Sequence, residues 1–249
     1  MSIETYWKEY ERQYSGDEWF EKVLVAARRR RVLESAARNP ARRVLEIGCG
    51  MESLVSSWGP FEQFTIVEPV EEFCARARQA APDGSEVTVL CGYLEEQTDA
   101  LADRAPFDLI VASSLLHEVP DPRRLLVSIA SLCSTSTVVH LNVPNVRSFH
   151  RLLALEMGQI ADLFERSEME KRFGRVTRFD RATLETMLHE AGFLVRHFET
   201  YFVKPFTHRQ MEQIVDAKIL PVEVIAALDR MAKYMPDLGC EMFVELTKR

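Results

Sequence analysis

Through the middle of the chain, short aliphatic runs alternate with stretches of helical periodicity. Val44-Leu45-Glu46-Ile47, Phe64-Thr65-Ile66-Val67, Val87-Thr88-Val89-Leu90-Cys91, Phe107-Asp108-Leu109-Ile110-Val111 and Thr137-Val138-Val139-His140-Leu141 are short and rich in β-branched residues. They predict strands at about 43–48, 63–68, 86–91, 107–112 and 136–142. Helical patterns fall between them at about 51–58, 70–81, 95–104 and 121–134. Pro82-Asp83-Gly84 supplies turn chemistry, and Asp121-Pro122 supplies a helix start. Regular alternation of this kind predicts an α/β fold with a mostly parallel sheet and helices on both faces. Ligands of such sheets sit at the carboxyl ends of the strands, where the strand order reverses. The loops that follow the strands are therefore the informative ones.

Ahead of the first strand, residues 3–38 read as helical with a break near Ser15-Gly16-Asp17, where Asp17 can cap the second helix. Tyr6, Tyr10 and Tyr14 share one face, which predicts packing on the core. Arg28-Arg29-Arg30-Arg31 spreads around a helix rather than along one face, and a solvated surface is the expectation. Asn39-Pro40 ends that helix.

Composition narrows the class. At 249 residues the chain can bury a large core without a metal or disulfide staple. The net charge of −7 disfavours wrapping of nucleic acid. No apolar run reaches the length of a membrane span, and Met1-Ser2-Ile3-Glu4-Thr5 lacks the form of a secretory signal. The five cysteines are scattered with no Cys-x-x-Cys pair, so reduced thiols in a cytoplasmic protein, and no metal site, are expected.

The loop after the first strand carries the strongest local signal. Gly48-Cys49-Gly50 lets backbone approach a ligand closely. Glu46, two residues earlier, would repel a pyrophosphate but suits a cationic ligand. The second strand ends on Glu68, 18 residues after Gly50, where an acid can accept hydrogen bonds from ribose hydroxyls. Pro69 then fits the first turn of a helix.

These motifs, with Phe107–Val111 and Leu116-His117-Glu118-Val119-Pro120-Asp121-Pro122, resemble the class I S-adenosylmethionine-dependent methyltransferases over about residues 40–135. The resemblance implies a Rossmann-like seven-stranded sheet, mostly parallel with the last strand antiparallel, and S-adenosylmethionine as cofactor with S-adenosylhomocysteine as product. It implies a single domain over 1–249, with an N-terminal helical cap (1–40), a cofactor-binding core (41–142) and cap insertions at 143–180 and 205–239. Asp180–Ala191 then reads as the helix before the last two strands, Val195–Val203 and Glu241–Leu246. The connection between those strands is too long for a structureless loop and shows helical patterns near Thr207–Ala217 and Val222–Tyr234. A second insertion spans Arg151–Arg178. The implied cofactor-binding residues are Glu46 for the methionine ammonium, Gly48 and Gly50 for close backbone approach, and Glu68 with Pro69 for the ribose. Tyr93 and Leu94 border the adenine, and the Ser113 carbonyl faces the methionine part. Two positions depart from the family pattern: Met51-Glu52 stands where a small residue is common, and Tyr93 where an aspartate is.

His117, after the fourth strand, is the first candidate for a general base, because histidine titrates near neutrality. His150 shares a loop with Asn145 and Arg147, which could grip a polar or anionic substrate. His140, inside the fifth strand, reads as a hydrogen-bonded core histidine, and His189 and His197 read as surface. His208, with Tyr201 and Lys204, could line the cap.

The leading expectation is transfer of a methyl group to a hydroxyl or amine of a small polar molecule such as a sugar, sugar nucleotide or natural-product intermediate. A small-molecule partner, no membrane and no nucleic acid are expected, with a homodimer left open. An RNA or protein methyltransferase is the alternative; Arg28–Arg31 favours it, while the net charge and Ser113-Ser114-Leu115-Leu116 in place of an Asn-Pro-Pro-Tyr motif oppose it. A non-catalytic adenosylmethionine-binding protein is opposed by the intact glycine and acid motifs. A nicotinamide dehydrogenase is opposed by Glu46 and the paired terminal strands.

Overall fold

The computed structural model describes residues 19–166 and 177–249. The expected tyrosine stripe and the Asp17 cap lie outside them. Seven strands form one sheet: β1 (Arg43–Ile47), β2 (Gln63–Glu68), β3 (Val87–Cys91), β4 (Leu109–Ser113), β5 (Val138–Pro144), β6 (Phe193–Tyr201) and β7 (Glu241–Lys248). Their order is β3-β2-β1-β4-β5-β7-β6, and β7 runs antiparallel to both of its neighbours. The expected fold class is therefore found. The central strands are buried almost throughout, as a parallel sheet covered on both faces requires.

Helices α1 (Trp19–Arg38), α2 (Glu71–Ala80), α3 (Leu94–Ala102), α4 (Pro122–Ser131), α5 (Phe149–Glu156), α6 (Arg181–Glu190), α7 (His208–Asp216) and α8 (Glu223–Arg230) complete the described structure. The local start signals work as read. Asp121 accepts from the Arg124 amide ahead of α4, and Asp180 and Thr183 form a reciprocal cap on α6. Both long connections contain helices, α5 in one and α7 with α8 in the other. Among the described residues no helix is long and apolar enough to cross a membrane.

Several expectations need correction. The helix expected over 51–58 is only a 3-10 turn, Leu54–Ser57. Gly50 is at positive φ, and the Ser53 hydroxyl accepts from the Val55 amide, so the chain turns late and stops before Gly59-Pro60. β5 starts and ends two residues later than expected. The Thr137 hydroxyl donates to the Phe107 carbonyl and accepts from the Ser134 amide, which holds that segment in a turn.

The Arg28–Arg31 run is not a solvated face. Arg28 pairs with Glu21 and Glu241 at 3.0 Å each. Arg29 donates to the Glu52 and Ser53 carbonyls, Arg30 reaches Asp229, and Arg31 pairs with Glu34 and Glu199. Four successive residues point around the helix, so the run ties α1 to several parts of the fold.

Free thiols were expected throughout, but Cys74 on α2 and Cys91 at the end of β3 form a disulfide across a Cα separation of 6.2 Å. The crossover lays α2 beside the end of β3, a proximity that spacing in the sequence does not reveal. Cys49, Cys133 and Cys240 are free and buried.

Candidate active site

The strand order reverses between β1 and β4, and the glycine loop lies at that point, at the carboxyl end of β1. Gly48 has φ +72° and Gly50 φ +59°. A Cβ on Gly48 would stand 3.1 Å from a Leu115 methyl, so glycine is required there by both backbone and packing. Leu115 belongs to the loop after β4, so these two loops touch. In that loop Ser114 is a non-glycine residue at φ +59°, held by its amide donating to the Asn142 carbonyl at 2.9 Å. Left-handed backbone at a β-branch-free polar residue beside a ligand loop marks functional geometry.

Glu68 closes β2 and clamps the glycine loop. Its carboxylate accepts from the Gly50 amide at 3.1 Å and the Val70 amide at 3.0 Å. It thereby ties the glycine turn to Val70, the residue that precedes α2. Burial raises its pKa above the ordinary carboxylate value. Glu46 is also buried. It accepts from the Ser53 hydroxyl and from the Leu54 amide at 3.0 Å, which anchors the 3-10 turn. Burial outweighs these hydrogen bonds and pushes its pKa up to about 7.

That shift has a definite sign. A carboxyl that holds its proton more tightly when folded contributes stability that is complete below about pH 4.5 and is lost as pH rises through about 7. Wild type should therefore lose up to about 3 kcal/mol relative to Glu46→Gln across that window. Urea unfolding of both proteins from pH 4.5 to 8 measures the difference, and parallel curves would rule the shift out.

The remaining implied cofactor residues are placed less uniformly. Tyr93 precedes α3 and is exposed, as a residue bordering a planar ring needs to be. Leu94 is buried in the core beneath it. Pro69 is half-buried and stands before α2 rather than in its first turn. Ser113 ends β4 opposite Asn142 of β5. Of the two departures, Met51 packs on the core, and Glu52 is exposed with its carboxylate 3.8 Å from Arg29.

Beside the Ser114–His117 segment lies a cavity of about 720 Å³. Its wall is built from the loops after β4 and β5, from α1 and α5, and from the segment following β6. His117 lines it and is largely buried, with Nε2 3.5 Å from Glu118 Oε1. His150 and His208 line it too, and burial lowers both pKa values, that of His208 to about 4. Leu153, Met157, Ile160 and Phe179 supply apolar wall.

Two expected substrate residues are placed differently. Asn145 lines the cavity, but its amide nitrogen donates to the Asp237 and Gly239 carbonyls at 3.1 and 2.9 Å, and its oxygen accepts from the Arg147 amide. The side chain is engaged in pinning the segment before β7. Arg147 is exposed and does not line the cavity. His140 is in the core as expected, yet neither ring nitrogen finds a hydrogen bond among the described residues; it stacks on Phe243, and burial lowers its pKa to about 4. His189 is exposed and His197 partly so. Glu21, Arg28 and Glu241 also face the cavity, and sequence reasoning missed all three. No local signal marks them, because the ion pair that joins them spans 213 residues.

The sheet order, the reversal point and the acid-flanked glycine loop define a Rossmann-like nucleotide-binding enzyme. Residues 10–197 match the family model described as a methyltransferase domain, and the chain belongs to that family as an S-adenosylmethionine-dependent methyltransferase. Among solved structures, the N-methyltransferase NodS from Bradyrhizobium japonicum, in complex with S-adenosyl-L-homocysteine, is similar at 14% identity with a TM-score of 0.61, over 98% of each chain. A SAM-dependent methyltransferase from Archaeoglobus fulgidus is similar at 20% identity and a TM-score of 0.59, over 98% of this chain and 100% of that one. Magnesium protoporphyrin IX methyltransferase from Synechocystis is similar at 14% identity and a TM-score of 0.55, over 93% of this chain and 84% of that one. No curated protein matches the chain in sequence.

Proposed function

We propose that the protein transfers the methyl group of S-adenosylmethionine to a hydroxyl or amine of a small molecule held in the cavity beside His117. One observation carries this reading. The loop after β4 packs Leu115 on Gly48 and contributes Ser114 and His117 to the cavity wall, so the same loop borders both the cofactor turn and the cavity. A cavity of about 720 Å³ suits a small acceptor better than an RNA strand or a protein surface.

The residues fit the cofactor. Gly48 and Gly50 leave open backbone, Glu68 offers a carboxylate at the ribose position, and Glu46 is a buried acid next to the site of a cationic methionine. Bound S-adenosylmethionine supplies a methyl group on a positively charged sulfur, ready for direct displacement. The chain's own task is alignment and exclusion of water, which supply much of the barrier reduction. His117 takes the proton from the acceptor hydroxyl as the new bond forms. Tyr93 would border the adenine, and the Ser113 carbonyl would face the methionine part.

The test has two parts. Calorimetry should show S-adenosylhomocysteine binding to the wild-type chain. A labelled-methyl screen over sugars, sugar nucleotides, phenols, amines and RNA should find turnover among the small molecules. Silence in calorimetry would sink the cofactor reading, and transfer to RNA alone would sink the acceptor class.

A further inference from the structure

The cavity is basic although the chain is acidic. Among the described residues its wall carries five cationic side chains against two carboxylates, Glu21 and Glu241, while the whole chain has a net charge of −7. Several of these cations already have partners. Arg28 bridges the two carboxylates at 3.0 Å each, and Arg151 and Arg178 both donate to the Leu163 carbonyl.

Lys204 differs from them. It follows β6, is only 5% exposed and lines the cavity. Its ammonium makes no hydrogen bond or ion pair with any described residue and stands 5.9 Å from the centre of the Phe20 ring. Glu21 and Glu241 act on it from beyond ion-pair distance. A cation–π contact at that distance offsets only part of the cost of burying an ammonium that has no hydrogen bond or ion pair. Such a group persists where something else supplies the missing acceptor. His150 and His208 flank it without adding charge, since burial and Lys204 itself hold both imidazoles neutral. Leu153, Met157, Ile160 and Phe179 give the same cavity an apolar portion.

Resting on the reading of this cavity as the acceptor site, we propose that the methyl acceptor is an amphipathic anion. Its apolar body lies against Leu153, Met157, Ile160 and Phe179, and its carboxylate or phosphate docks on Lys204. His150 and His208 then serve as neutral hydrogen-bond partners of the anion. A charge-assisted contact of this kind is the strong one among polar contacts and gives the site its selectivity for an acid over the matching amide.

The probes are 2-naphthoate, 2-naphthyl phosphate and 2-naphthamide, titrated by calorimetry into the full chain saturated with S-adenosylhomocysteine. At least one anion is expected to bind about tenfold or more tighter than the amide, and the tighter of the two identifies the acidic group. Lys204→Met should bring that anion down to the level of the amide, while Lys204→Arg should retain most of its affinity. Both variants should bind S-adenosylhomocysteine as wild type does, and Lys204→Met should melt at or above the wild-type temperature because it removes an unpaired buried charge. Equal binding of all three probes, no binding of either anion by wild type, or unchanged anion affinity in Lys204→Met would overturn the proposal. Loss of S-adenosylhomocysteine binding by wild type would instead overturn the methyl-transfer reading itself.

Discussion

Replacing His117 with alanine is expected to lower turnover on a hydroxyl acceptor by about 10²–10⁴-fold while leaving S-adenosylhomocysteine affinity unchanged. The magnitude is that of losing a positioned general base, which leaves alignment and desolvation intact. His117 is placed for this role by its loop. The segment leaves β4 at the reversal point, passes Leu115 against Gly48, and then turns the imidazole to the cavity. Glu118, 3.5 Å from Nε2, is positioned to stabilise an imidazolium as the proton arrives. Because His117 is largely buried, alanine also leaves a void, so the kinetic effect must be separated from a loss of packing. His117→Asn keeps more of the volume and should be comparably slow. Full turnover in His117→Ala, with the acceptor found by the labelled-methyl screen, would remove His117 from the mechanism.

The second large effect is expected at Glu68. Glu68→Ala should weaken S-adenosylhomocysteine binding by about 100-fold or more, since hydrogen bonds to a charged group contribute about 1.5–3 kcal/mol each. Two contributions act together. The ribose hydroxyls lose their acceptor, and the Gly50 and Val70 amides lose the carboxylate that holds the glycine loop against β2. Glu68→Gln keeps one acceptor oxygen in a similar shape and should fall between wild type and alanine. Calorimetry with S-adenosylhomocysteine measures both variants, and urea unfolding reports how far the loop clamp alone supports the fold. Wild-type affinity in Glu68→Ala would mean that this carboxylate only ties the glycine turn to Val70.

The two carboxylates illustrate how far a sequence can be read. Glu46 and Glu68 were legible from their distance to Gly48 and Gly50, because strand and turn geometry fix where side chains fall at the end of a parallel strand. Their hydrogen bonding was not. Glu46 turns toward Ser53 and Leu54 because the expected helix after Gly50 contracts to one 3-10 turn. His117 was legible as a loop residue at the sheet's carboxyl edge, whereas His150, expected in the loop after β5, stands in the first turn of α5; both line the cavity. Asn145 and Arg147 were read from the same loop with the same logic. One is held by carbonyls of the segment before β7 and the other points to solvent. For Asn145 the deciding contacts come from carbonyls about 90 positions away, which nothing local announces.

The Arg28–Arg31 run makes the same point for charge. Its composition suggests a solvated surface, but its partners arrive from β6, from β7, from α8 and from the glycine-loop side, with Arg30 and Arg31 sharing Asp229. The sequence by itself determined the strand–helix alternation, the left-handed glycine turn and the acids around it, because those follow from backbone sterics and short-range periodicity. Only the tertiary structure decided which charges neutralise one another, which histidines share a chamber, and that Lys204 is buried there without a hydrogen-bond or ion-pair partner among the described residues. The physical reason is that burial and ion pairing depend on what the sheet brings together across 200 residues, and neither is encoded in the spacing of neighbours.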